Sequence, residues 1–139
     1  MIVVDASVAY ALLDDRDAGH AAARSWYEQP HRDLLTTPLV LAEVDHLAEA
    51  RLGTGARSCF LGDIESGGYY VAWWSSAAAE SARIARQYLD LGVSLTDASL
   101  VALAARLGTT SIATFDERHF RAMQPLTGES AFTLLPADA

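Results

Sequence analysis

Short apolar runs of three to six residues recur along this chain, and stretches of helical character separate most of them. Ile2-Val3-Val4, "DLLT" (33–36), "YYVAWW" (69–74), "SIATF" (111–115) and "FTLL" (132–135) read as strands. Runs this short and this continuously apolar are expected of strands buried on both faces. "ASVAYALLD" opens a helix after Asp5. Asp17 is placed to cap a second, "AGHAAARSWYEQ", which stops before Pro30. Thr37-Pro38 supplies a cap and a first-position proline for "PLVLAEVDHLAEARLG", which Gly53 closes. Thr54 is a candidate cap for "GARSCFLGDIES". "SAAAESARIARQYLDLG" ends at Gly92, and Ser94 or Thr96 caps "DASLVALAARLG", which ends at Gly108. Strands separated by helices imply parallel pairing through right-handed crossovers. The expectation is an α/β fold. It is a three-layer α/β/α sandwich around a mainly parallel five-stranded sheet, with residues 1–139 forming one domain.

That topology gives meaning to the acids. In an open parallel sheet, ligands bind beyond the carboxyl ends of the strands. Asp5 follows the first strand directly, and Asp116 follows the fourth. Asp97 falls in the first turn of a helix, and Glu43 lies one to two turns into the helix after the second strand. Each acid alone has an ordinary explanation, as a turn former, a first-turn acid or a solvated helix residue. Four of them at the one convergent end of the topology are harder to explain that way. Packed carboxylates repel one another and resist ionisation, and a divalent cation reverses that. Magnesium takes oxygen ligands at about 2.0–2.1 Å and keeps several waters. Such an ion on an acidic cluster suits phosphodiester hydrolysis by activated water.

Charge and composition narrow the chemistry. Ten basic residues against 18 acidic ones give a formal charge of −8, which disfavours generic nucleic-acid binding unless the acids are concentrated and metal-neutralised or a local basic patch survives. All ten basic residues are arginine. The absence of lysine excludes a phosphorylated receiver domain and a Gly-x-x-x-x-Gly-Lys nucleotide-binding loop. Asp5-Ala6-Ser7 lacks the Asp-x-Asp of a haloacid-dehalogenase phosphatase. The one cysteine, Cys59, can form no internal disulfide. No apolar run approaches the roughly 18 residues needed to span a membrane. The opening residues lack the basic start of a signal peptide, so the expected location is the cytoplasm.

Four stretches carry a resemblance to a known family. "IVVDASVAYALLD", "TTPLVLAEVDHL", "SLTDASLVALAARLG" and "IATFDERHF" resemble, in order, the four acidic motifs of PIN-domain proteins of the VapC type, the toxins of bacterial toxin–antitoxin pairs. The resemblance implies an Mg²⁺-dependent endoribonuclease, with Mn²⁺ as a possible substitute, that leaves a 5′-phosphate and a 3′-hydroxyl. It implies Asp5, Glu43, Asp97 and Asp116 as catalytic, metal-binding acids. Asp5 and Asp97 would be the most direct ligands, and Glu43 and Asp116 would act directly or through water. Ser7 and Thr114 would be polar residues that line the site and orient its ligands. It further implies RNA as substrate, a VapB-type antitoxin whose arginine enters the acidic site, a homodimer, and a heterotetramer or larger assembly with the antitoxin. A catalytically silent PIN-like module that binds RNA or protein is the alternative, and the presence of all four acids argues against it.

Other polar residues are read as ordinary surface. Asp45 is two positions from Glu43 and so lies on another helix face. Asp14 and Asp15 close the first helix. His46 and His119 show no metal-ligand spacing, and a magnesium-type site prefers oxygen. Arg83, Arg86, Arg118 and Arg121 are solubilising or ion-paired residues before they are RNA contacts. In "YYVAWW", strand geometry puts Tyr69, Val71 and Trp73 on one face and Tyr70, Ala72 and Trp74 on the other, mostly in the core.

Overall fold

The computed structural model describes residues 1–30 and 33–139. Among these residues the sheet has four strands, β1 (Ile2–Val4), β2 (Leu34–Leu35), β3 (Ser111–Ala113) and β4 (Thr133–Leu135), in the order β2-β1-β3-β4. All three pairings are parallel. Val3 stands opposite Leu35 and Ile112, and Ile112 opposite Leu134. Val3, Ile112 and Leu134 are completely buried and join one apolar core, while Ile2, Leu34, Ala113 and Leu135 face a second. This period-two alternation builds an apolar layer on each side of the sheet.

Among the described residues, seven α-helices cover it. α1 (Ala6–Leu13) and α2 (His20–Tyr27) fill one face with Val8, Ala11, Ala23 and Trp26. α3 (Pro38–Leu52), α4 (Thr54–Glu65), α5 (Ala77–Gln87) and α6 (Leu95–Leu107) build the larger core, and α7 (Glu117–Ala122) adds Phe120 to it. α6 is buried almost all round, and Leu100 and Leu103 are fully enclosed. Burying each such side chain contributes about 1.5–3 kcal/mol. Gly108 ends α6 in a left-handed conformation, φ +67°, that releases the chain into β3.

The fifth expected strand is absent among the described residues. "YYVAWW" contributes only one isolated parallel bridge, Val71 to Thr36, beside the β2 edge. Side chains hold this segment where a ladder would have. The Tyr69 ring meets Phe60 edge-on at 5.5 Å, and the Trp74 indole donates to Glu80 at 2.7 Å and lies under Arg106. Ala72 and Trp74 turn inward while Tyr70, Val71 and Trp73 are exposed. Tyr69, turned inward, and Tyr70, turned outward, both break the expected face assignment.

Three helix starts also differ. Asp17 accepts from the Gly19 amide in a turn before α2, whose cap position is Gly19. Gly53 occupies the cap of α4, and Thr54 bonds Glu49 instead. Thr37 sits at the cap of α3, but its hydroxyl pairs with Ser99 of α6 at 2.9 Å. Ser94, not Thr96, caps α6 by accepting from the Asp97 amide.

Candidate active site

At the carboxyl end of the sheet lies a cleft of about 780 Å³ lined by Asp5, Glu43, Asp97 and Asp116. Each arrives from a different element. β1 delivers Asp5, which is 4% exposed and serves as the cap of α1, accepting from the Ala6 amide at 2.7 Å. Asp97 is in the first turn of α6, half-buried, with its backbone held by Ser94. Asp116 follows β3 and caps α7, accepting from the His119 amide at 3.1 Å. Glu43 is on α3 at the open side of the cleft.

Two hydroxyls join Asp5 to the segment that carries Asp116. The Phe115 amide donates to Ser7, and Ser7 donates to Asp5 Oδ2 at 2.8 Å. The Asp116 amide donates to Thr114, and Thr114 donates to the same oxygen at 2.7 Å. Each hydroxyl thus accepts one backbone proton and gives its own to Asp5. Oδ2 is occupied twice and Oδ1 once, so Oδ1 is the oxygen with room for another partner. Thr114 is buried behind Asp5 and does not line the cleft, whereas Ser7 does.

Burial and mutual repulsion keep Asp5, Glu43 and Asp97 reluctant to ionise. Burial pushes Asp5 above the usual carboxylate range, against its three hydrogen bonds. Asp97 is pushed up to about 6, first by burial, then by the charges of Asp5 and Asp116. Glu43 is raised by burial and then by Asp5. A crowded, partly desolvated set of carboxylates is the donor chemistry a hard divalent cation relieves. Ligand atoms of Asp97, Asp116 and His119 lie within 4.8 Å of one another, close enough to share one ion.

His119 belongs to the cleft, which the sequence reading did not expect. Its Nδ1 meets Asp116 Oδ2 at 2.7 Å and its Nε2 meets the Leu91 carbonyl at 2.9 Å. The Leu91 carbonyl can only accept, so Nε2 carries a proton, and the bond to Asp116 raises the pKa of the ring. The signal was the spacing Asp116-x-x-His119, a capping acid and a first-turn residue on one helix face, and not a histidine pair. Thr37 and Ser99, both fully buried, were missed as the tie between the helices bearing Glu43 and Asp97. His46 and Asp45 stay outside the cleft, and Asp45 pairs with Arg57. Asp14 holds the Tyr10 hydroxyl, and Arg121 pairs with Glu117 and Asp138.

Comparison with known proteins places this arrangement. Residues 2–124 match the PIN domain model. The chain is 34% identical over 136 residues to Ribonuclease VapC26 of Mycobacterium tuberculosis, covering 97% of this chain and 100% of that protein. Its fold superposes on the crystal structure of Mycobacterium tuberculosis VapC20, described as a Sarcin-Ricin loop cleaving toxin. The TM-score is 0.78 at 22% identity, over 84% of this chain and 91% of that one. It also matches FitAcB from Neisseria gonorrhoeae, with a TM-score of 0.63 at 19% identity over 86% and 91% of the two chains. With its parallel sheet flanked by helices and its acids gathered at the strand ends, the chain belongs to the PIN-domain family, in its VapC-type branch.

Proposed function

We propose that this chain is a divalent-metal-dependent endoribonuclease and the toxin of a VapBC-type pair, folded as one PIN-like unit. The observation that carries the reading is the convergence of Asp5, Glu43, Asp97 and Asp116, from four separate elements, on one cleft of a chain related along its length to a ribonuclease. In this reading Asp5 and Asp97 would be the direct ligands of Mg²⁺ or Mn²⁺. Glu43 and Asp116 complete the site directly or through water. The bound metal supplies an activated water and charge stabilisation for in-line displacement at phosphorus. Ser7 and Thr114 hold Asp5 in one orientation, and His119 does the same for Asp116. Donor atoms fixed in this way need little rearrangement at the moment of reaction. An antitoxin arginine in the same cleft would meet a ready-made carboxylate partner.

The test is cleavage of total cellular RNA by purified wild type and Asp97→Asn, each with Mg²⁺ or Mn²⁺ and again with EDTA, with sequencing of new 5′-phosphate ends. The expected result is ends that require both metal and wild-type protein, and these ends identify the RNA. Folded, antitoxin-free wild type that yields no ends would favour a silent binding module and overturn the proposal.

A further inference from the structure

The cleft is acidic at its floor and carries one arginine. Arg51 alone among the described arginines lines it. It stands on α3 eight residues after Glu43 with Leu47 midway, so the three share one helix face. The separation is about 12 Å, or two turns. The Arg51 guanidinium lies 5.2 Å from the centroid of the Tyr10 ring. That ring is only 3% exposed and is fixed through its hydroxyl, which donates to Asp14 at 2.6 Å. Arg24, Arg57 and Arg121 are in ion pairs, and Arg51 makes none with the described acids. Its side chain hydrogen-bonds Tyr10, and its charge acts on Tyr10 and Asp14. A guanidinium with no ion pair to a described acid, held against an aromatic ring inside the cleft of a strongly acidic protein, is suited to a planar, bidentate anion.

Taken with the nuclease reading on which it rests, the geometry points to Arg51 as a positioning residue for RNA. It grips the backbone phosphate of a nucleotide flanking the scissile bond, two helical turns from Glu43, while the acids act on the bond itself. Tyr10 serves as its platform, and Asp14 locks the platform. A phosphate clamp of this kind sets where along the strand the cut falls without reading a base.

The test uses a short, fluorescent, mixed-sequence oligoribonucleotide, with Ca²⁺ in place of Mg²⁺ to limit cleavage. It is titrated against wild type, Arg51→Gln and Arg51→Lys over a series of salt concentrations. Arg51→Gln is expected to weaken binding about tenfold and to flatten the salt dependence of log K by about 0.7. Arg51→Lys should restore the slope but not the full affinity, because a point charge cannot replace the fork. A purely structural cap over Tyr10 would lower the melting temperature of Arg51→Gln and leave the slope unchanged, which overturns the assignment. Equal slopes and affinities with wild type that still cleaves cellular RNA overturn Arg51 alone. No binding by wild type overturns Arg51 and the RNA reading together.

Discussion

Asp5 shows how much of this site is decided by single protons. Its Oδ2 receives the Ser7 and Thr114 hydroxyls, and those hydroxyls receive the Phe115 and Asp116 amides. Thr114→Val keeps the shape of a fully buried side chain but removes one donor to Asp5 and the acceptor for the Asp116 amide. The expected cost is about 1–3 kcal/mol, read from urea unfolding, with cleavage reduced about 10- to 100-fold. Thr114→Ser should recover most of both. Unchanged activity in a destabilised Thr114→Val protein would mean that the network serves the fold and not the ligand. The acids were legible residue by residue, because a strand end and a helix first turn are visible in sequence. His119 was not. Its role depends on the Leu91 carbonyl, 28 positions earlier, pinning the ring from the other side, and no local pattern encodes that.

At the scale of elements, the strand–helix alternation was legible because period and punctuation are local. The exception, "YYVAWW", satisfies every compositional rule for a strand. Its register is nevertheless set by tertiary side-chain anchors, Phe60 on Tyr69 and Glu80 with Arg106 on Trp74, and these hold it to a single bridge. The same limit applies to Thr37. The Thr-Pro pair marks the start of α3 correctly, yet the hydroxyl turns away from the helix end and reaches Ser99, whose own proton goes to the Thr96 carbonyl at 2.6 Å. This buried link fixes the α3 start against α6, and so Glu43 against Asp97. Thr37→Val is expected to cost about 1–2 kcal/mol and to weaken Mg²⁺ binding measured by calorimetry, with Thr37→Ser close to wild type. If Thr37→Val lowers stability but binds Mg²⁺ like wild type, the link does not position the acids.

Across the whole molecule, the fold holds its acids where they are least comfortable without a cation. The Asp97 pKa of about 6 stands above its ordinary 3.8, so the folded state binds that proton more tightly than the unfolded state. Stability of the metal-free protein should therefore fall as pH rises from about 4 to about 6 and owe nothing further to Asp97 above that. Asp5 and Glu43, both raised, act in the same direction. Asp97→Asn removes the titration. Metal-free Asp97→Asn should thus be more stable than wild type at neutral pH, by about 1–2 kcal/mol once partial exposure of the site is allowed for, and no more stable at pH near 4. Mg²⁺ or Mn²⁺ inverts the order. Binding only the native state stabilises wild type by about 2.7 kcal/mol at a hundredfold excess over Kd, and the variant gains less because it has lost a charged ligand. Falling pH weakens the metal effect, since protons compete for the same oxygens. Thermal unfolding of both proteins across pH 4–8, with EDTA and with each metal, measures all of this in one experiment. Parallel pH profiles in EDTA would show that Asp97 ionises at its ordinary pKa. An equal metal response from both proteins would remove Asp97 from the ligand set and move the weight of metal binding to Asp116 and His119.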